Sequence, residues 1–198
     1  MVLIVGITGA SGAIYGIRLL EVLSRIGEVE THLIITAPAE AIVKYETDRS
    51  IEDVKSLADF SYSNADIGAR LASGSFHRDG MIVAPCSVKT MSALAASYAE
   101  GLLVRAGDVT LKERKKLLLA VRETPFHIGH LRSMERLTEM GAVVMPPVPA
   151  FYHKPKTVQD IVDYTVGKML DVMDIKHDLF ARWPGLSDAV RPASGDQP

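Results

Sequence analysis

The Leu3–Ile26 stretch constrains the fold of this chain more than any other, because it joins a strand pattern to a helix pattern across one short turn. The strand pattern is the apolar run Leu3–Ile7, which is rich in isoleucine and valine. After the turn, apolar residues recur at the spacing of one helix face, at Leu19, Val22, Leu23 and Ile26. The pattern predicts a strand, a tight loop and a helix, which is the unit that builds open α/β sheets.

The turn itself has glycines at the spacing G-x-x-G-x-x-G, at Gly6, Gly9 and Gly12. Glycine lets the backbone adopt positive φ and approach a ligand closely, and the free N–H groups of a helix start, with Ser11 beside them, attract an anion. We therefore expect a phosphate-bearing ligand at this turn. The spacing differs from the G-x-G-x-x-G of dinucleotide-binding folds, and a purely structural turn is the alternative interpretation.

Length and composition predict a single compact domain. The chain has 198 residues, of which 47% are hydrophobic and 23% charged, enough to bury a substantial core. The formal net charge of −2 gives no basic surplus, so a nucleic-acid partner is not expected. We expect one α/β domain over residues 1–186, followed by a disordered polar tail over residues 187–198.

Cysteine use and hydropathy indicate a cytoplasmic protein that does not cross a membrane. A single cysteine, Cys86, excludes an internal disulfide and is typical of a reducing compartment. No apolar run approaches the length of a membrane span, and the chain enters a strand pattern within three residues. No cysteine and histidine cluster has zinc spacing, so we expect no metal.

Strand and helix patterns alternate along the rest of the chain. Further strands are predicted at Val29–Thr36, Met81–Ala84, Leu117–Val121 and Ala142–Met145, with Pro85 expected to end the second of these. Helices are predicted at Pro38–Tyr45, Ile51–Ala58, from a cap at Ser87 through Tyr98, Ile128–Met140 and Thr157–Val172. This alternation predicts an α/β fold, a three-layer αβα sandwich of Rossmann or flavodoxin type with a mostly parallel sheet and its ligand at the carboxyl ends of the strands.

Candidate ligand-binding residues, most of them polar, directly follow the predicted strands, where such a sheet binds ligands. They are Gly9, Ala10, Ser11, Thr36, Ser87, Lys89, Thr90, Arg122, Glu123 and Tyr152. Each also has an ordinary interpretation: Ser87 as a helix cap, the lysines as solvated surface residues, and Arg122 with Glu123 as a weak ion pair. Cys86 is interpreted as buried apolar filler. The coincidence of so many polar residues at one edge favours a binding site.

A short-chain dehydrogenase is the main rival interpretation, because Tyr164 and Lys168 form a Tyr-x-x-x-Lys pair. The second predicted strand, however, ends in Thr36 with no acidic residue to hold a ribose hydroxyl. A dinucleotide is therefore disfavoured, and a mononucleotide with one phosphate fits better.

Six motifs in order resemble the UbiX/Pad family of flavin prenyltransferases over about Leu3 to Gly185. They are GITGASGAIYG (6–16), PCSVKT (85–90), RAGDVTLKER (105–114), VRETP (121–125), MPPVPAFYHKP (145–155) and LFARWPG (179–185). The resemblance implies a flavodoxin-like sandwich, a homododecamer with FMN between subunits, and transfer of a dimethylallyl group from dimethylallyl phosphate onto N5 and C6 of reduced FMN. The prenylated FMN would serve a UbiD-type decarboxylase.

The same resemblance implies roles for individual residues. It places FMN contacts at Gly9, Ala10, Ser11, Thr36, Ser87, Val88, Lys89, Thr90 and Arg122. It places the prenyl phosphate at Lys112, Arg122, Tyr152 and Lys168, with Trp183 closing the pocket. Its candidate catalytic residues are Glu46, Glu123 and Ser11, the two carboxylates as acid and base. The segment AEGL departs from the DNL form of some relatives, because Gly101 replaces an asparagine.

The chemistry of the reaction agrees with these roles. Breaking an allylic C–O bond leaves a phosphate dianion, which fixed cations stabilise without a metal. Two other functions stay open: a flavin-binding accessory subunit for a decarboxylase, and a flavin-dependent cysteine decarboxylase. The sequence also leaves open a monophosphate or a diphosphate donor, and a decarboxylase of ubiquinone synthesis or one acting on phenolic or cinnamic acids.

Overall fold

A computed structural model of the chain describes residues 1–183 and 185. These residues contain six strands: β1 (Val2–Ile7), β2 (Glu30–Ile35), β3 (Phe60–Ser63), β4 (Gly80–Cys86), β5 (Lys116–Val121) and β6 (Val143–Val144). Their α-helices are α1 (Ala13–Ile26), α2 (Ala37–Glu46), α3 (Ile51–Lys55), α4 (Val88–Ala95), α5 (Gly101–Lys112), α6 (Ile128–Glu139) and α7 (Val158–Val172). A short 3₁₀ turn spans Arg70–Ala72.

The strands form one sheet in the order β3-β2-β1-β4-β5-β6, and every pairing is parallel. The order reverses between β1 and β4, the position at which doubly wound sheets bind their ligands. Parallel strands are joined by helices that cover both faces of the sheet, which makes the interior strands apolar on both sides. The predicted three-layer αβα sandwich with a parallel sheet is confirmed.

Two hydrophobic clusters, one on each face of the sheet, form the core. On one face, β1 residues such as Leu3 and Val5 pack with helices α1, α2, α3 and α7. On the other face, Ile4 of the same strand packs with α4, α5 and α6. This alternation follows from the two-residue period of a strand, which sends successive side chains to opposite faces.

The sequence-based prediction missed two elements. Strand β3 has the sequence FSYS, is only four residues long and lies half exposed at the sheet edge, so it shows no apolar run. Helix α5 was not predicted, because buried residues on nearly every side of its first turns obscure the helix period. Three boundaries were also wrong: α3 ends at Lys55 and not at Ala58, α4 ends at Ala95 and not at Tyr98, and β4 continues through Pro85.

Strand β4 passes Pro85 because the local pairing changes there. Proline lacks an N–H to donate to the ladder, and the register between β4 and β5 shifts between Val83 and Cys86. The Pro85 carbonyl accepts hydrogen bonds from both the backbone N–H (3.2 Å) and the hydroxyl (2.7 Å) of Thr8. The strand therefore stays attached to the end of β1 at the edge where the site lies.

Within residues 1–183 and 185, no helix is long and apolar enough to cross a membrane. The predicted end of the domain at residue 186 and the predicted tail over residues 187–198 lie outside the described residues.

Gly16 lets helix α1 approach strand β4 closely. A Cβ at this position would overlap the Ala84 carbonyl oxygen and lie 2.8 Å from Cγ1 of Ile7. Neither neighbour has room to move, since one is backbone and both are fully buried.

We expect Gly16→Ala to lower the free energy of unfolding by about 2 kcal/mol, because overlap in a packed core outweighs the better helix propensity of alanine. Chemical denaturation measures the change. Ser24→Ala on the exposed side of the same helix is the control and should change stability by less than about 0.5 kcal/mol. Equal stabilities of Gly16→Ala and the unmodified chain would contradict the packing described here.

Candidate functional site

Two clefts flank the loop between β1 and α1 at the carboxyl edge of the sheet. The first has a volume of about 440 Å³, and it is lined by Gly9, Thr36, Ser87, Val88, Lys89 and Thr90 among others. The second has a volume of about 400 Å³, and it is lined by Ser11, Tyr15, Arg122 and Glu123 among others. The structure thus divides most of the predicted FMN contacts and the predicted charged groups between two adjacent cavities.

The first cleft contains a buried hydroxyl that has no partner. Thr36 precedes α2 at its N-cap position, yet its side chain makes no capping hydrogen bond. Its Oγ1 atom is buried and has no hydrogen-bond partner among the described residues. Buried polar atoms are rarely left unpaired, and Thr36 lines a cavity of ligand size. A ligand rich in hydrogen-bonding atoms, as FMN is, fits this cleft.

Ser87 caps helix α4, as its ordinary interpretation predicted. Its hydroxyl accepts a hydrogen bond from the Thr90 N–H (3.3 Å) and donates one to Thr90 Oγ1 (3.1 Å). The Ser87 N–H donates to the Thr8 hydroxyl (2.7 Å), which attaches this helix start to the end of β1. On the outer wall of the cleft, exposed Lys89 faces Glu100 at 3.8 Å.

The start of helix α1 holds a carboxylate of the chain itself and not a free phosphate position. Glu46, the last residue of α2, accepts hydrogen bonds at Oε2 from the Gly12 N–H (2.8 Å) and the Ala13 N–H (3.2 Å). Of the three glycines of the turn, Gly12 alone has positive φ, at 98°. Glu46 thus occupies the N–H groups of Gly12 and Ala13, and the expectation of a phosphate at this turn stays a prediction.

These contacts keep Glu46 ionised. Partial burial acts against the charged form, but hydrogen bonds from Ser11, Gly12 and Ala13 and the charge of Arg122 outweigh it, so the pKa of Glu46 is lowered. The lowered pKa means that Glu46 is ionised at neutral pH and carries no proton to donate there.

Arg122 brings a free positive charge to the second cleft. Its side chain forms no hydrogen bond and no ion pair with any residue in the described part of the chain, so the predicted pairing with Glu123 is not formed. Glu123 instead accepts the N–H of its neighbour Thr124 at 2.9 Å. Burial raises the pKa of the Tyr15 phenol in the same cleft, and the charge of Arg122 partly offsets this effect.

A third group of predicted site residues lies on helix α7 and in the segments before and after it. The Tyr152 hydroxyl is 2.5 Å from that of Tyr164, and the Trp183 ring lies 5.5 Å from the Tyr152 ring, edge to face. Lys168, one turn beyond Tyr164, approaches Asp171 at 3.4 Å. Tyr152 and Trp183 therefore lie together beside Tyr164, and Lys168 lies one turn further along α7.

Asp171 fastens the C-terminal segment to this helix. The Arg182 guanidinium donates two hydrogen bonds of 2.6 Å to its carboxylate, and His177 approaches it at 3.1 Å. The contact with Arg182 is the main reason that the pKa of Asp171 falls to about 2. Arg182 is the residue before Trp183, so this ion pair fixes where Trp183 lies.

Lys112 does not meet the other predicted site residues within one chain. It ends helix α5, where it contacts Glu113, and the chain enters β5 four residues later at the amino edge of the sheet. Arg122 lies beyond the opposite end of β5. Lys112 joins the other cations only if another copy of the chain supplies it.

The remaining predictions concern Ala10, Cys86 and metals. The Ala10 N–H donates to the Thr8 carbonyl (2.8 Å) inside the turn, and Ala10 lines neither cleft. Cys86 is fully buried and burial raises the pKa of its thiol, so it is apolar filler as expected. Across residues 1–183 and 185, no three His, Cys, Asp or Glu side chains are grouped to hold a metal ion.

Sequence reasoning missed Asn64, which lines the first cleft and follows the unpredicted strand β3. Its Oδ1 atom accepts the Leu103 N–H (2.9 Å) and its carbonyl accepts the Leu102 N–H (2.8 Å), so it caps helix α5 from another part of the chain. Gly101 has a φ of 80°, and a Cβ there would lie 2.7 Å from the Asn64 amide nitrogen. The glycine in AEGL thus makes room for this cap.

The fold and its clefts define a flavin-binding protein of the αβα class, and a family comparison agrees. The Flavoprotein family model matches residues 1–183. A flavin prenyltransferase UbiX of Thauera aromatica is 57% identical over 185 residues, covering 93% of this chain and 95% of the relative. This chain belongs to the UbiX family of flavin prenyltransferases.

Solved structures give the same result. AnUbiX, crystallised with FMN and dimethylallyl pyrophosphate, has a TM-score of 0.92 and 47% identity, covering 94% of this chain and 98% of that one. A dodecameric FMN-dependent UbiX-like decarboxylase from Escherichia coli O157:H7 also has a TM-score of 0.92, with 49% identity over 93% of this chain and 100% of that one. The resemblance stated from the sequence motifs is confirmed, and the dehydrogenase interpretation is set aside.

We expect Glu46→Gln to lower the melting temperature at pH 7, because a neutral amide binds the α1 N–H groups less well than a carboxylate. Because the pKa is lowered from 4.5, the Glu46 carboxylate stabilises the fold fully at pH values above 4.5. This contribution is lost as the pH falls through the pKa of Glu46 in the folded protein. The difference from the unmodified chain should therefore shrink between pH 5 and pH 3, as measured by calorimetry.

The matched control is Glu40→Gln on the same helix. Glu40 is 41% exposed and approaches only Lys55, at 3.8 Å, among the described residues. Its replacement should change the melting temperature little at any pH. A Glu46→Gln deficit that stays constant from pH 7 to pH 3 would show that the carboxylate does not act through its charge.

Proposed function

We propose that this enzyme transfers a dimethylallyl group from dimethylallyl phosphate onto N5 and C6 of reduced FMN, and that the prenylated FMN passes to a UbiD-type decarboxylase. The observation that carries the proposal is the pair of clefts on either side of one loop. Within the described residues, the first cleft has a hydroxyl without a partner and the second has a guanidinium without a partner. A flavin and an anionic second substrate need such adjacent sites.

The first cleft is proposed to hold FMN. Thr36 offers a free hydroxyl, Lys89 offers a cation at the rim, and Gly9 leaves the floor of the cleft without a side chain. Bound reduced FMN supplies the nucleophilic N5 and C6 atoms. The protein aligns the acceptor and the donor, which removes much of the entropic barrier of a bimolecular reaction.

The cations are proposed to stabilise the departing phosphate. Cleavage of the allylic C–O bond concentrates negative charge on the phosphate oxygens, and preorganised donors stabilise that charge best in a site from which water is excluded. Arg122 offers a planar guanidinium without a competing partner in the described residues, while Lys168 and Tyr152 offer an ammonium and a hydroxyl. Trp183 presents an aromatic face that can steady a developing allylic cation.

The two carboxylates are proposed to handle protons on different sides of the site. Glu46 is held ionised and so accepts the proton that is released from the flavin side during ring closure. Glu123 lies beside Arg122 in the second cleft and serves the phosphate side, where a proton eases departure of the leaving group. Ser11 hydrogen-bonds to Glu46, so its proposed part is to orient that carboxylate.

A homo-oligomer is proposed to bring Lys112 together with the two clefts and the residues around α7. The related dodecamer from E. coli O157:H7 supports this. Lys112 lies at the opposite edge of the sheet, so another copy must supply it. Exposed apolar side chains surround the second cleft and the following helix, as expected of a surface that another subunit covers: Phe126, Ile128, Leu131, Val148 and Phe151. We also propose a cytoplasmic location, in keeping with a single, buried cysteine.

We expect purified protein, mixed anaerobically with chemically reduced FMN and dimethylallyl phosphate, to yield a flavin heavier by one five-carbon unit in mass spectrometry. Dimethylallyl diphosphate in a parallel reaction tests the donor. Unaltered flavin with both donors would favour the accessory-subunit alternative. Release of carbon dioxide from a phenolic or peptidyl-cysteine substrate by this chain alone would favour a decarboxylase.

We expect Glu123→Gln to slow prenyl transfer roughly a hundredfold or more, because it removes a proton-transferring group while keeping the shape of the side chain. Its affinity for FMN, followed by flavin fluorescence, should stay unchanged. Glu28→Gln, an exposed residue at the amino edge of the sheet, is the control and should keep full activity. Turnover of Glu123→Gln equal to that of the unmodified enzyme would remove Glu123 from the mechanism.

A further inference from the structure

A pair of tyrosine hydroxyls connects the loop before helix α7 to the helix itself. Tyr152 lies in the irregular segment that follows β6 and is 50% exposed. Its hydroxyl oxygen is 2.5 Å from that of Tyr164, which lies in the second turn of α7. The two rings meet edge to face at 86°, with centroids 5.8 Å apart. Tyr164 is thus the direct partner of a residue assigned to the prenyl phosphate.

Packing on two sides fixes the ring of Tyr164. The His153 ring stacks on it at 4.7 Å and 9°, and the Phe180 ring lies 4.8 Å away. Both ring nitrogens of His153 are buried and have no hydrogen-bond partner in the described residues, so stacking is the interaction that holds this histidine. One helical side chain therefore anchors two successive residues of a loop that lacks regular structure.

Either hydroxyl of the pair can be the donor, and the choice decides which proton is left for another partner. Each hydroxyl has one proton to donate and two lone pairs that accept. When Tyr164 donates to Tyr152, the Tyr152 proton is free for a third partner. An anionic oxygen near Tyr152 favours this arrangement, because successive hydrogen bonds in a chain polarise and strengthen one another.

We propose that Tyr164 is a positioning residue for the phosphate of the prenyl donor, acting by donating its hydroxyl proton to Tyr152 so that Tyr152 donates to a phosphate oxygen. This inference rests on the proposed function, in which Tyr152 binds that phosphate. Lys168 lies one turn further along the same face of α7, so the helix presents a hydroxyl relay and an ammonium to one anion.

The ionisation of Tyr164 agrees with a donor role. Its hydrogen bond with Tyr152 is the main reason that the pKa of Tyr164 rises to about 12, with burial and the charge of Asp171 acting in the same direction. The phenol therefore keeps its proton at neutral pH. This is the reverse of the lowered pKa that a tyrosine base would need.

The test measures initial rates of prenyl transfer by Tyr164→Phe, Tyr152→Phe and the double variant against dimethylallyl phosphate. We expect Tyr164→Phe to raise KM for the donor roughly fivefold while kcat and FMN affinity change less than twofold. In the Tyr152→Phe background, Tyr164→Phe should have no further effect, because its action passes through the Tyr152 hydroxyl. An unchanged KM, or the same fold-change in both backgrounds, overturns the proposal.

Phenylalanine keeps the ring contacts with His153 and Phe180, so a melting temperature and oligomer size equal to the unmodified enzyme are expected for Tyr164→Phe. Tyr98→Phe is the matched control: this tyrosine is 64% exposed and its hydroxyl has no hydrogen bond within the described residues. It should leave KM unchanged. A fivefold rise in KM for Tyr98→Phe as well would show a non-specific effect and overturn the proposal.

Calorimetric binding of dimethylallyl phosphate to the FMN-loaded protein separates this inference from the proposed function. If the unmodified chain binds the donor but forms no prenylated flavin, the proposed function fails, and the proposal for Tyr164 stands when Tyr164→Phe binds roughly fivefold more weakly. If Tyr164→Phe binds equally well, the proposal fails whether or not the enzyme turns over. No binding by the unmodified chain would overturn both.

Discussion

The carboxylate of Glu46 on the first N–H groups of α1 is the contact on which the arrangement of the site depends. It joins the end of α2 to the loop between β1 and α1, and that loop separates the two clefts. The loop contains glycines and short polar residues, and the hydrogen bonds to Glu46 attach it to a second helix. Because the anchor is an anion, it offsets the positive end of the α1 dipole.

The fold was largely predictable from the sequence because each interior strand is an apolar run between helix patterns. Leu117–Val121 and the turn after Ile7 show this clearly. The edge strand Phe60–Ser63 was not predictable, since a half-exposed strand of four residues needs no apolar face. Pro85 misled the prediction for a different reason: the register shifts there, and Thr8 bonds to the Pro85 carbonyl, so the strand continues without an N–H from proline. Tertiary contacts of this kind leave no local pattern.

The candidate site was predictable in its residue types but not in its grouping. Residues at the carboxyl ends of β1, β2 and β4, such as Thr36 and Ser87, line one cleft because parallel strands share an edge. The anchor between Glu46 and Gly12 spans 34 residues, and Asn64 reaches helix α5 from a strand that had no sequence signal. Such long-range hydrogen bonds between short polar side chains and backbone groups depend on the finished fold.

The separation of the cations follows from electrostatics. Two unit charges 4 Å apart repel by about 4 kcal/mol at an effective dielectric constant of 20, so Arg122, Lys112 and Lys168 clustered in one isolated chain would destabilise it. In the structure they lie on different elements, and Lys112 and Lys168 each contact a carboxylate. If copies of the chain complete the site as proposed, the repulsion arises only when subunits meet, where apolar contacts outweigh it and the phosphate removes it. Assembly and binding of an anionic donor then reinforce each other, since each lowers the cost of the other.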